Sequence, residues 1–134
     1  MIPVPVGATA ELTLVVTAEM TVRFDQLGPV HPVYATYSMA EHFEEAGRML
    51  LLPYLEPGEA AIGRSLSVEH LAPARVGDTV RVTAECVELR GNRLTCACRA
   101  VDAQGRELGH GTTVQVVLLQ QVLDDRLRRP ADPR

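Results

Sequence analysis

The 134-residue chain has no lysine: all 13 of its basic residues are arginine. That absence excludes Schiff-base chemistry on a lysine amine. Tryptophan is missing too, and 3 tyrosines and 2 phenylalanines leave little to stack on bases. With arginines scattered and a net charge of -4, the footprint of a nucleic-acid binder is absent. No window approaches the roughly 18 apolar residues of a membrane span. Residues 1–7 show neither the basic segment nor the apolar stretch of an export leader. These absences predict a cytoplasmic protein with no nucleic-acid and no membrane partner.

Cysteine is scarce, and its placement is uninformative for metal or redox chemistry. Cys86, Cys96 and Cys98 are odd in number and lack the two-residue spacing of zinc knuckles and thiol redox pairs. They read as buried thiols in a reducing compartment. Phosphate-cradling glycine loops, metal-binding helix motifs and the strained serine elbow are missing as well. The expectation is no metal and no cofactor.

What is present suits one globular domain, 46% hydrophobic and 22% charged. The reading places that domain over residues 1–123 and a charged tail over 124–134, with a short helical turn that then frays. Residues 11–17 are apolar and β-branched, a first strand; residues 20–24 extend it or form an irregular edge. Gly28, Pro29 and Pro32 make residues 27–33 a loop. Ser38, three residues before Glu41, has the spacing of a capping box, and Pro53 stops the run, so a helix is predicted over 39–52. Met39, Phe43, Ala46 and Leu50 form its core stripe, with Glu41, Glu45 and Arg48 opposite.

Strands are predicted over 61–71, 78–89, 93–101 and 106–119. A two-residue turn at Gly91–Asn92 sets Arg90 opposite Arg93, and hence Val82 opposite Val101 and Cys86 opposite Ala97. Gln104–Gly105 turns the chain into the last strand, completing an antiparallel meander. One helix wrapped by a curled antiparallel sheet is an α+β hot-dog fold. Its unprotected edges and half-covered face predict a homodimer.

Candidate chemistry lies beside the helix. Thr36 precedes the helix start, where a hydroxyl and free amides meet the positive dipole end; it reads either as a turn threonine or as an oxyanion contact. Glu44 falls at the seam of the helix among Ala40, Gly47 and Leu51. Half-burial there would disfavour its charge and suit a base, whereas a solvated helix glutamate explains it too, and Glu45 is an equal candidate. His70 follows Leu66 and Val68 on the inward side of a strand, either to orient water and protonate a thiolate or as a core histidine bonded to backbone. His31 and His42 read as a loop residue and a helix-flank residue, and His110 lies between Gly109 and Gly111, which either allow close approach of another backbone or a ligand or, the preferred reading, mark a bulge.

Val33–Tyr34–Ala35–Thr36, the run from Pro53 to Glu59, and Val68 to His70 resemble the fluoroacetyl-CoA thioesterase-like group of hot-dog thioesterases, from the first strand to about Leu119. The resemblance implies catalytic roles for Thr36, Glu44 and His70, selecting Glu44 over Glu45. It also implies an acyl-facing glycine at Gly63 and substrate contact at Tyr34. Two departures stand out: Gln115 occupies the place of a family arginine, and residues 27–31 replace a bulky aromatic lid. The implied activity is hydrolysis of a short or medium acyl-CoA other than a fluoroacetyl specialist's, with Arg64 or Arg75 as candidates for the CoA phosphates. Two other readings remain open: a non-catalytic acyl-CoA-binding or sensing dimer, and an enoyl-CoA hydratase, whose Asp…Pro-x-His signature the Asp25–His31 stretch loosely resembles.

Overall fold

The computed structural model describes residues 1–128. Strand β1 (Thr9–Val15) passes through a 3-10 turn at Ala18–Met20 into β2 (Thr21–Phe24) and β3 (Gly28–Tyr34). Helix α1 (Thr36–Leu51) and a 3-10 turn at Leu52–Tyr54 follow. Then come β4 (Glu59–His70), β5 (Thr79–Arg90), β6 (Arg93–Asp102), β7 (Glu107–Leu119) and α2 (Gln120–Arg128). Five strands make one antiparallel sheet in the order β1-β5-β6-β7-β4, curled about α1, which packs on all five. Among the described residues no helix is long and apolar enough to cross a membrane. Helix α2 begins before the predicted charged tail and is nine residues long rather than a single turn; the rest of that tail, 129–134, lies outside the described residues.

The stripe Met39, Phe43, Ala46 and Leu50 is buried as its spacing requires, while Glu41, Glu45 and Arg48 face solvent. The helix nevertheless starts earlier than predicted, at Thr36, with Ala35 as its cap and no side-chain capping bond. Ser38 lies inside the first turn and is buried; its hydroxyl donates to the Met20 carbonyl, which also accepts from the Ala35 amide. That tertiary anchor replaces the capping box.

Residues 28–34 are strand, not loop, and residues 21–24 pair with them in a separate ribbon rather than prolonging β1. Pro29 and Pro32 are tolerated because this ribbon has only two strands and shifts register at Thr21/Val22 and Val22/Arg23, so few amides are needed. The β5–β6 hairpin keeps Arg90 opposite Arg93, but a bulge between Cys86 and Glu88 moves Cys86 opposite Cys96 and Val82 opposite Ala100. Without that extra residue the buried set on β5 would face the outward set on β6, so the core pattern overrides the register counted from the turn.

Of the two readings of Gly109 and Gly111, the close approach of another backbone holds at both. The β6–β7 irregularity falls between Ala100 and Val101, paired with Gly109 and Glu107, so it adjoins Gly109 and not Gly111. A Cβ on Gly111 would lie 1.8 Å from the Ser67 carbonyl oxygen, and one on Gly109 2.6 Å from that of Glu69. Strands β4 and β7 can pair here only because both positions lack side chains.

Candidate active site

Helix α1 and strand β4 lie against one another, and their contacts define a seam with three stations. At one end, Thr36 Oγ1 is 2.9 Å from His70 Nδ1. In the middle, the Glu44 carboxylate lies over Gly63, with Oε1 2.9 Å from where a Cβ would be. Further along, Arg48 Nη1 donates to the Ala61 carbonyl at 2.7 Å. Thr36 is the first residue of α1, not a residue ahead of it, so its own amide belongs to the first turn, whose N–H groups find no acceptor within the helix.

The His70 ring is orientated by its second contact, Nε2 to the Ala72 carbonyl at 2.9 Å. A carbonyl only accepts, so Nε2 carries a hydrogen. In the neutral ring Nδ1 is then the acceptor, and the Thr36 hydroxyl donates to it. In the imidazolium the direction reverses: Nδ1–H donates to Thr36 Oγ1 and the threonine hydrogen becomes free for another acceptor. Thr36 can therefore stabilise an oxyanion when His70 is protonated, and presents a polarised oxygen when it is not.

The pairing of β4 with β7 places Leu66, Val68 and His70 opposite Thr113, Gly111 and Gly109, on the helix side. Val68 packs against the core, but Leu66 is 40% exposed. Glu44 is exposed in the single chain too, not half-embedded as its position on the helix wheel suggests. Thr36 and Glu44 are two turns apart, about 12 Å along the axis. One chain thus brings together Thr36 with His70, and separately Glu44 with Gly63.

Tyr34, expected to touch substrate, is a core residue instead. It is fully buried, and its hydroxyl is hydrogen-bonded to His42 Nδ1 at 2.6 Å. Its ring meets His70 edge-on at 6.3 Å, so it backs the site and does not line it. Burial, reinforced by the nearby Glu41 charge, holds the Tyr34 hydroxyl protonated well above the usual range. His42, read as a flank residue, is buried too; desolvation pushes its pKa down against the opposing pull of Glu41 and Glu45. The signal missed was that His42 directly precedes Phe43 and stands one turn behind Ala46, on the core side.

Sequence reasoning did not single out Thr113, and took Gln115 only as a departure from a family arginine. Both are 2% exposed, and Gln115 Nε2 has no hydrogen-bond partner among the described residues. Both converge on Gly47 of α1, whose absent Cβ would be 2.7 Å and 3.2 Å from them. The thiols nearby are inert: burial pushes Cys96 up to about 12 and Cys98 up to about 11. Among the candidate phosphate contacts, Arg64 is exposed at the β4 irregularity, and Arg75 is exposed beside Asp78. The groove by Arg75, about 730 Å³, is bounded by Asp78, Asp102 and Arg106 and does not touch Thr36, Glu44 or His70. The α1–β4 seam of one chain is an open face.

The sequence model of the fluoroacetyl-CoA-specific thioesterase family matches residues 16–121, most of this fold and all of the seam. The chain belongs to that family. It is therefore a thioesterase, a hydrolytic enzyme, and its sheet-wrapped helix is the hot-dog fold. A fluoroacetyl-CoA thioesterase of Streptantibioticus cattleyicolor is 36% identical over 97 residues, 72% of this chain and 69% of the relative. A Thermus thermophilus hypothetical protein of the thioesterase superfamily superposes with a TM-score of 0.94 at 47% identity, covering 96% of this chain and 94% of that one. A mutant fluoroacetyl-CoA thioesterase in complex with acetyl-CoA superposes with a TM-score of 0.86 at 31% identity, covering 96% and 99%.

Proposed function

We propose that the chain hydrolyses a short or medium acyl-CoA to the free acid and CoA, with Thr36, Glu44 and His70 as its catalytic residues. The observation that carries this reading is the 2.9 Å contact of Thr36 with His70 on the same seam as Glu44 and Gly63. Glu44 activates water or attacks the thioester carbonyl itself. Thr36, freed by a protonated His70, and the first amides of α1 hold the oxyanion. His70 delivers the proton to the departing thiolate, which returns its Nδ1 to the accepting state.

The separation of the two stations is met by a second copy. Strand β4 is a sheet edge of 12 residues without proline. Antiparallel pairing of two β4 edges about a two-fold axis between Leu66 and Ser67 sets His70 opposite the partner's Gly63. Glu44 of each subunit then serves the Thr36–His70 pair of the other, and the exposed apolar face at Leu66 is covered. The homodimer is thus part of the proposal. The acyl group is not assigned to fluoroacetate, since residues 27–31 offer Leu27 and Val30 in place of an aromatic lid.

The test is a panel of acyl-CoAs read by release of free thiol, with wild type and Glu44→Gln. Loss of the base is expected to lower turnover about 10²–10⁴-fold. Undiminished turnover in Glu44→Gln would remove its role, and acyl-CoA binding with no thiol release by the wild type would establish a binding or sensing protein instead.

A further inference from the structure

We propose that Gln115 is a positioning residue for Glu44, its carboxamide donating a hydrogen bond to the Glu44 carboxylate; this rests on the catalytic reading of Glu44 above. Gln115 is held on β7 at 2% exposure, with Nε2 lacking a partner among the described residues. A buried amide donor left unmatched is uncommon and unfavourable, so the group is poised for an acceptor that can approach it.

Two glycines build the approach. Gly47 stands on α1 three residues beyond Glu44, and a Cβ there would lie 3.2 Å from Gln115 Nε2. Gly63 stands on β4 directly opposite Gln115, and a Cβ there would lie 2.9 Å from Glu44 Oε1. The helix lacks a side chain where the sheet's glutamine rises, and the sheet lacks one where the helix's glutamate descends. Glu44 thus descends from α1 onto β4 while Gln115 rises toward α1 from β7, the strand paired with β4 at that point.

Opposed residues on an antiparallel pair hold their Cβ positions about 4.5–5.5 Å apart, within the reach of a glutamine side chain to a carboxylate lying over Gly63. The chemistry is matched, because Nε2 only donates and a carboxylate only accepts. A carboxylate tied to this amide keeps one oxygen fixed and the other aimed along the seam, whereas an untied one on an exposed helix face sweeps several rotamers.

The experiment is a double-mutant cycle in the full chain, using the acyl-CoA that the panel shows to be turned over fastest. Gln115→Met keeps length and bulk and removes the donor. It is expected to lower kcat about tenfold with KM within twofold, and to have no further effect in the Glu44→Gln background. A kcat unchanged by Gln115→Met, or lowered equally in both backgrounds, overturns the proposal. A second readout needs neither turnover nor a Gln115 variant: the carboxamide proton resonances of Gln115 in the ¹⁵N-labelled protein are expected to move on Glu44→Gln. If Glu44→Gln turns over at the wild-type rate, the catalytic reading fails on its own. The resonances then decide the contact, and resonances that stay fixed overturn it.

Discussion

Gly63→Ala separates the chemistry of the seam from the stability of the fold. The added Cβ would lie 2.9 Å from Glu44 Oε1 and 3.5 Å from Cδ, with nothing else within 4 Å. Gly63 is not one of the glycines with positive φ, so alanine meets no backbone strain. The clash is with the end of an exposed side chain, which escapes by turning at a cost of about 0.5–1.5 kcal/mol. Stiffening the unfolded chain returns about 0.4–1 kcal/mol. The two offset, and Tm should stay within a few degrees of wild type. The carboxylate, however, must retreat by about half an ångström to reach ordinary contact, and misplacement of about 1 Å can cost a hundredfold in rate. Thiol release from the preferred acyl-CoA should therefore fall about tenfold or more while the thermal midpoint hardly moves. Wild-type turnover in a folded Gly63→Ala protein would refute the placement of the reaction at this station. A collapse of Tm would show that Gly63 serves the sheet, not the site.

The glycine at 111 should behave in the opposite way. Its Cβ would press on the Ser67 carbonyl oxygen at 1.8 Å, a backbone atom that cannot turn aside, so Gly111→Ala should destabilise by more than about 3 kcal/mol in chemical denaturation; a midpoint equal to wild type would show the strands free to separate. Tyr34→Phe removes the 2.6 Å bond to buried His42 and leaves Nδ1 without its partner, for an expected loss of about 1–3 kcal/mol by the same assay. An unchanged midpoint there would mean that His42 finds another partner. Burial lowers the His42 pKa in the folded state, so the unfolded chain takes up its proton first as pH falls through about 6.5. The contribution of His42 is complete above that pH and is lost progressively below it, down to the lowered folded value. Tm measured from pH 7.5 to 5 should fall more steeply for wild type than for His42→Gln, and parallel curves would exclude this linkage.

The parts of the fold legible in the sequence are those fixed by local pattern with one dominant cause. The helix stripe at Met39, Phe43, Ala46 and Leu50, the turn at Gly91–Asn92 and the meander of long strands follow from periodicity and turn chemistry. The misreadings occur where a distant contact overrides the local signal. Ser38 carries a capping pattern, yet Met20, far back in the chain, claims its hydroxyl. Gly91–Asn92 counts out one register, yet the need to bury Cys86 with Cys96 inserts a bulge that shifts it. Pro29 and Pro32 announce a loop, yet a ribbon of two strands asks little of their missing amides.

The same division runs through the site. Thr36, Glu44 and His70 stand out by their position at the helix start, the helix seam and the inward side of a strand, and the family resemblance selects Glu44 over Glu45 and adds Gly63; neither carries a statement of depth. Depth depends on tertiary packing: Tyr34 and His42 are buried in the core, whereas Glu44 and Leu66 stay exposed. A helix wheel gives direction around one axis and cannot supply that depth. Gln115 shows the converse limit: the sequence marks it only as a departure from a family arginine, and its placement between two glycines 16 residues apart in sequence, Gly47 and Gly63, becomes visible only in the fold. The proposed dimer, a second β4 laid antiparallel against the first, would cover the exposed glutamate and the β4 edge and join two stations about 12 Å apart along α1. An enzyme assembled this way exposes its catalytic carboxylate only as a monomer, so dilution below the dimer dissociation constant should abolish turnover while the Thr36–His70 contact within each chain persists.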